Sequence, residues 1–223
     1  MSEIRANSNE GGILNKEISL YKAAAIFFVV ILVTVSILYS VGQKYFWQPS
    51  QAQNPLDRGL NYYLALVESE PDKPEHWVDL GWHYYKAGEF EEALDKHLTA
   101  LEINPNHFGA LYNAGLTYLQ LSDHASAIDS LNQAVEINSE NWEAHLVLGV
   151  ALMGLEEWDQ AEIALDTALG INRHSADTHF YMGYLLEQQD NMEEAREFYQ
   201  EALSYNPELL AAREGLERVA DTE

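Results

Sequence analysis

One spacing governs this sequence, an interval of 34 residues. Gly81, Gly115, Gly149 and Gly183 fall at that interval, as do Ala93, Ala127, Ala161 and Ala195. So do Ala100, Ala134, Ala168 and Ala202, and Asn104, Asn138, Asn172 and Asn206. Four columns in register over four units are the mark of stacked repeats. Gly and Ala at fixed places in a helical unit stand where two antiparallel helices cross too closely for a larger side chain. Larger apolar residues fill the space between crossings: Trp77, Leu80 and Tyr84 in the first unit, with Phe90 near its turn. The Asn column is expected to end each second helix, because Asn tolerates the left-handed cap conformation, with Pro105 and Pro207 reinforcing the stop.

The pattern Trp77-x-x-Leu80-Gly81-x-x-Tyr84, followed by Ala93, Ala100 and Pro105, resembles the tetratricopeptide repeat (TPR). The resemblance covers four units, 74–107, 108–141, 142–175 and 176–209, and implies an all-α fold, a right-handed α-solenoid of helical hairpins. Ser139 and Arg173 stand in the column of Pro105 and Pro207, while His145 and His179 stand in that of Trp77. The middle units are therefore expected to pack less tightly. Residues 56–73 match the second helix of a half-repeat. Residues 210–223 read as a capping helix that buries Leu210, Ala211, Leu216 and Val219 and turns Glu214, Glu217 and Arg218 to solvent. An open end of such an array would expose an apolar face, so a cap is required.

Ahead of the repeats, residues 23–43 carry no charge and centre on Ile26-Phe27-Phe28-Val29-Val30-Ile31-Leu32-Val33. At ~1.5 Å per residue such a stretch spans roughly 30 Å, the hydrocarbon thickness of a bilayer. Tyr21 and Lys22 on one side, and Lys44, Tyr45, Phe46 and Trp47 on the other, are interfacial residue types. The expectation is a single transmembrane helix, with residues 1–22 as an N-terminal tail and 44–55 as a linker. A cleaved leader ending at Gly42 is the competing reading, disfavoured because its apolar region would exceed the usual ~7–15 residues. Arg5, Lys16 and Lys22 before the span, against Lys44 and Arg58 after it, keep the N-terminus in the cytoplasm and place the array outside it.

The formal net charge is −24, and it belongs to the repeats: from Leu56 onward eight Lys or Arg face 33 Asp or Glu, a net of −25. No Lys or Arg occurs between Lys96 and Arg173. Nucleic acid is excluded as a partner, since phosphate binding needs basic residues to displace counterions. With no cysteine there are no disulfides, thiolate metal sites or thiol catalysis. The histidines show no metal-ligating spacing, and there is no glycine-rich phosphate loop, so neither a metal nor a cofactor is expected. The pairs Glu91/Glu92, Glu156/Glu157 and Glu193/Glu194 sit at hairpin turns, where a helix dipole favours them without any catalytic role.

What remains is binding. The resemblance implies that the fifth, ninth and twelfth residues of each unit face the concave side of the array. Here they are Val78, Trp82 and Tyr85; Tyr112, Leu116 and Leu119; Leu146, Val150 and Met153; and Phe180, Tyr184 and Glu187. All but Glu187 are apolar or aromatic, and only Lys86 and Asn113 offer the polar contacts that family members use to clamp a peptide carboxylate. Some of these residues must serve as core between units. Trp82, Tyr85, Tyr112 and Tyr184 together exceed packing needs, and such residues dominate interface energetics. The expectation is an acid-rimmed apolar groove for a partner helix or peptide with apolar anchors and basic flanks. The chain then acts as a membrane-tethered protein-interaction scaffold in assembly, translocation or maturation of other proteins, and not as an enzyme. The resemblance also admits a self-assembling structural protein (a homo-oligomer) and an assembly factor of the cytochrome c maturation type.

Overall fold

The computed structural model describes residues 55–220, with side chains from Gly59 onward, and one isolated position at Ser36. The described residues form ten helices and no strand. They are α1 (Pro55–Ser69), α2 (Pro74–Ala87), α3 (Phe90–Ile103), α4 (Phe108–Gln120), α5 (His124–Ile137), α6 (Trp142–Met153), α7 (Trp158–Ile171), α8 (Ala176–Gln188), α9 (Met192–Tyr205) and α10 (Leu210–Ala220). They pair as four hairpins, α2–α3, α4–α5, α6–α7 and α8–α9, and α1 and α10 flank them. The tail, the expected span at 23–43 apart from Ser36, and the expected linker 44–55 apart from Pro55, which begins α1, lie outside the described residues. Among the described residues no helix is long and apolar enough to cross a membrane.

Each helix packs on its neighbours in sequence, but the two rows differ. The first helices α2, α4, α6 and α8 also touch one another in succession, whereas no second helix touches another second helix. An array whose first helices lie close and whose second helices stand apart has an inner face made by the first row. Helix α10 lies against both α8 and α9, where the first helix of a fifth unit would stand.

The small-residue columns close the hairpins. All eight alanines of the two Ala columns are completely buried. A Cβ added to Gly81 would stand 2.5 Å from His97 Cε1; at Gly115 it would stand 2.6 Å from Leu131 Cγ. At Gly149 the distance is 2.8 Å to Leu165 Cγ, and at Gly183 it is 2.9 Å to Tyr199 Cδ1. Each glycine thus receives one side chain of a further 34-residue column: His97, Leu131, Leu165 and Tyr199. Two members of that column are polar, and their fates differ.

The Asn column is not left-handed. Asn104, Asn138, Asn172 and Asn206 have φ between −127° and −137°, which is extended backbone. Each amide donates to the Ala four residues earlier. Asn104, Asn172 and Asn206 also turn Oδ1 onto the amide two residues on, at 3.1–3.2 Å. At those three positions the Asx turn accounts for the residue type. The left-handed residues lie at the other turn, between the helices of each hairpin: Gly88, Ser122, Glu156 and Asp190, all with φ of 60–81°. Glu156 therefore sits outside the helix it was expected to favour, whereas Glu91, Glu92, Glu193 and Glu194 do occupy first turns.

The middle units lie within the larger of two clusters of buried residues. One continuous core runs from Ala127 to Val219, while Val78, Ala100 and Ala110 form a small separate cluster where the first and second units meet. His145 and His179 fit the Trp77 column because each finds a carbonyl, Ser139 at 3.1 Å and Ser175 at 2.8 Å. The cap also departs from expectation. Ala212, Gly215 and Val219 make its buried stripe, Leu210 is 59% exposed, and Arg218 is drawn back onto the array.

Candidate interaction face

Inner-row helices place aromatic side chains in short stacked groups. On α2, Trp82 and Tyr85 lie parallel, with centroids 5.1 Å apart and planes 9° apart. Tyr85 meets Phe90 edge-on at 5.4 Å, and Lys86 Nζ stands 6.0 Å over the Trp82 ring. On α4, Phe108 and Tyr112 stack at 6.0 Å; on α8, Phe180 lies 6.5 Å from Tyr184 and 6.0 Å from Tyr199. Spacings of three or four residues put these pairs on one helix face, and offset or edge contacts suit the ring quadrupoles.

The twelve expected groove positions divide by burial. Trp82 at 37% and Tyr184 at 36% are exposed. Tyr85, Tyr112, Leu116, Leu119, Val150 and Phe180 are half-buried, as is Asn113 beside them. Val78, Leu146 and Met153 are buried and belong to the core, so they stack the units and do not line a groove. One column can do both jobs because the inner row is where successive units touch.

Glu187 is the second correction. It is no rim acid. Arg218 of α10 grips its carboxylate with two bonds, Nε to Oε1 at 2.7 Å and an Nη2 bond to Oε2 at 2.8 Å, and the Tyr199 hydroxyl donates to Oε2 at 2.5 Å. Bidentate charge-assisted pairs of this kind are among the stronger polar contacts. The Arg218 guanidinium holds the Glu187 carboxyl below its usual range, while burial and then Glu187 push the Tyr199 hydroxyl up. The fourth unit therefore contributes Phe180 and Tyr184 to the inner face, and its twelfth residue locks the cap.

Burial raises the Tyr112 hydroxyl, with Glu143 and Tyr85 adding to the effect, and burial likewise raises Tyr85 against a hydrogen bond from Gln120. These phenols stay neutral and serve as amphipathic contact surface. No group of three or more His, Asp or Glu among the described residues could hold a metal ion.

Models of the tetratricopeptide repeat match residues 72–140, 118–179 and 176–209. The chain belongs to the tetratricopeptide-repeat family. No curated protein matches it. Among solved structures, MamA 41-end from Desulfovibrio magneticus RS-1 superposes with a TM-score of 0.64 at 20% identity, covering 78% of this chain and 96% of that one. YrrB, described as a TPR protein with an unusual peptide-binding site, superposes at 0.62 with 23% identity, covering 74% and 84%. TTC0263, a thermophilic TPR protein of Thermus thermophilus, superposes at 0.63 with 21% identity, covering 83% and 94%. At these identities the likeness is one of fold.

His97 and Tyr199 are the residues of this TPR array that reading by columns passes over. Their signal was present in the sequence: at the same 34-residue spacing the other two units carry Leu131 and Leu165.

Proposed function

We propose that the array is a protein-interaction scaffold whose inner face receives a helix or extended segment of a partner, and that residues 23–43 tether it to a membrane. The observation that carries the binding reading is the exposure of Trp82 and Tyr184 on a row otherwise committed to stacking. Aromatic side chains left half in water on a concave face, and stacked on a second ring, are preorganised anchors. The partner is apolar at its centre and basic at its flanks, because the array between Lys96 and Arg173 holds no Lys or Arg and its acids attract a basic segment. The apolar, uncharged character of residues 23–43 supports the tether. Membrane anchoring is tested by carbonate extraction: an anchored chain stays in the pellet, and release into the aqueous fraction overturns that part of the reading.

The groove is tested with the full chain and the partner that co-purifies with it from detergent extract. Trp82→Ala and Tyr112→Ala are each expected to weaken capture by about tenfold or more while shifting the melting midpoint little. Loss of folding in both would make these side chains core; undiminished capture by two folded variants would place the partner elsewhere.

A further inference from the structure

The outer row carries a second surface, independent of the inner groove. Second helices do not come into backbone contact with one another, and between two of them, α5 and α7, a cleft opens over the first helix α6. The cleft between α5 and α7 has a volume of about 280 Å³, room for a side chain or two rather than a folded element. Leu148 and Leu152 of α6 form its floor, and Val135 and Ile163 stand on its two walls. Asn132, Gln160 and Thr167 complete the walls, and no lining residue is Asp, Glu, Lys or Arg. The corresponding cleft beside α9 is different, since Glu197 and Glu201 line it.

Ile163 is the residue that sets this cleft apart. It is 67% exposed, more than any other large hydrophobic among the described residues. At the same 34-residue register the other units carry Asp95, Asp129 and Glu197. Three units thus place an acid at an outward position where the third unit in the array places a branched apolar group. Stacking does not ask for it, because the column is solvent-facing in every unit. A rim of acids encloses the patch. Asp159 and Asp166 lie four residues before and three after Ile163 on α7; Asp129 and Glu136 lie three before and four after Asn132 on α5. Those spacings put each acid beside the cleft on its own helix surface, and all four are exposed.

We infer that this outer cleft is a docking site for a short segment of a partner protein, with one aliphatic or aromatic side chain seated on Ile163, Leu148 and Leu152 and with Lys or Arg on either side. Charge complementarity selects that occupant. The rim presents carboxylates on both walls with no Lys or Arg among them, so an acidic or uncharged segment gains nothing from it and a basic-flanked one is steered in. A second copy of this chain would bring its own surplus of acids to the same rim, which argues against self-association here.

The test uses the full chain in detergent and a phage-displayed library of random short peptides. Selections on the parent are expected to enrich sequences with an apolar residue between basic ones. A synthetic, fluorescein-labelled peptide of the enriched sequence is then titrated against the parent, Ile163→Glu, Thr167→Lys and Trp82→Ala. Ile163→Glu gives the third unit the residue type the others carry at an exposed position, so folding is not at stake. It is expected to weaken binding by about tenfold or more, and Thr167→Lys, which sets a like charge against the basic flanks, by a smaller factor, with Trp82→Ala unchanged. Enrichment of no such peptide, or binding lost with Trp82→Ala and kept with Ile163→Glu, overturns the inference; the latter result would assign the same peptide to the inner groove. Concentration-dependent dimerisation of the parent that Ile163→Glu abolishes would also overturn it, by making the occupant a second copy.

Discussion

The first and last hairpins place polar residues at the same point of the same crossing, and only one is satisfied there. His97, against Gly81, is completely buried, and neither ring nitrogen has a hydrogen-bond partner. Tyr199, against Gly183, is as deeply buried, yet its hydroxyl reaches Glu187, which Arg218 also grips. The contrast arises from position along the array. The crossing at Tyr199 adjoins the capping helix, whose Gly215 leaves space for the Tyr199 ring and whose Arg218 reaches back across it. At the His97 crossing no element among the described residues gives the ring a hydrogen-bond partner. A polar side chain in a crossing stabilises when a neighbouring element completes it and costs about 1–3 kcal/mol when none does.

The largest test of this contrast removes the satisfied member. Tyr199→Ala empties a crossing and cuts the tie to the cap, and is expected to destabilise by about 3–5 kcal/mol. Chemical denaturation reads it; a loss no greater than that of a surface change would show that the cap does not depend on this side chain.

Acid is the next probe, and it acts on the other end. Burial drops the His97 pKa from its ordinary 6.5 to about 4. Between those values the unfolded chain binds a proton that the folded chain refuses, so stability falls as pH drops through that window and is flat below it. The full loss is roughly 3 kcal/mol. Carboxylates such as Glu187 add their own acid dependence, so the informative quantity is the difference between the parent and His97→Leu. That variant, which installs the residue of the second and third units, is expected to be more stable by about 1 kcal/mol at neutral pH. Its advantage should widen as the pH falls toward the folded-state value of about 4. An advantage that stays constant with pH would mean that His97 titrates normally.

An effect smaller than the full acid loss belongs to the lock itself. Glu187→Ala leaves the Tyr199 hydroxyl and Arg218 without their shared carboxylate. Arg218 is half in water and resolvates, so roughly 2 kcal/mol is expected. Hydrogen exchange of α10 amides should rise before that of α6, and uniform exchange along the array would contradict a local lock.

Much of this was legible in the residues. The Gly and Ala columns locate the four hairpins because steric exclusion at a crossing acts on one position at a time and leaves a trace in sequence. The Asn column marks the right turn for the wrong reason, since a side chain that accepts from the backbone two residues on and one that tolerates positive φ are both Asn. The left-handed position could not be read from glycine, because Ser122, Glu156 and Asp190 adopt it as well as Gly88. Burial within the inner row was illegible for a different reason. Val78 and Trp82 stand one helical turn apart on one face, and which of them meets the next unit depends on the offset between units, which no local pattern records. The partnership of Glu187 with Arg218 spans 31 residues and is set by where the cap lands.

The two rows also give the array an uneven mechanical section. Its inner row is continuous and its outer row is interrupted, so bending costs least when it opens or narrows the outer clefts while the inner row serves as a line of hinges. A load that draws the ends of the repeat region apart is therefore taken up in small angles at every junction between units, with the hairpins themselves left whole.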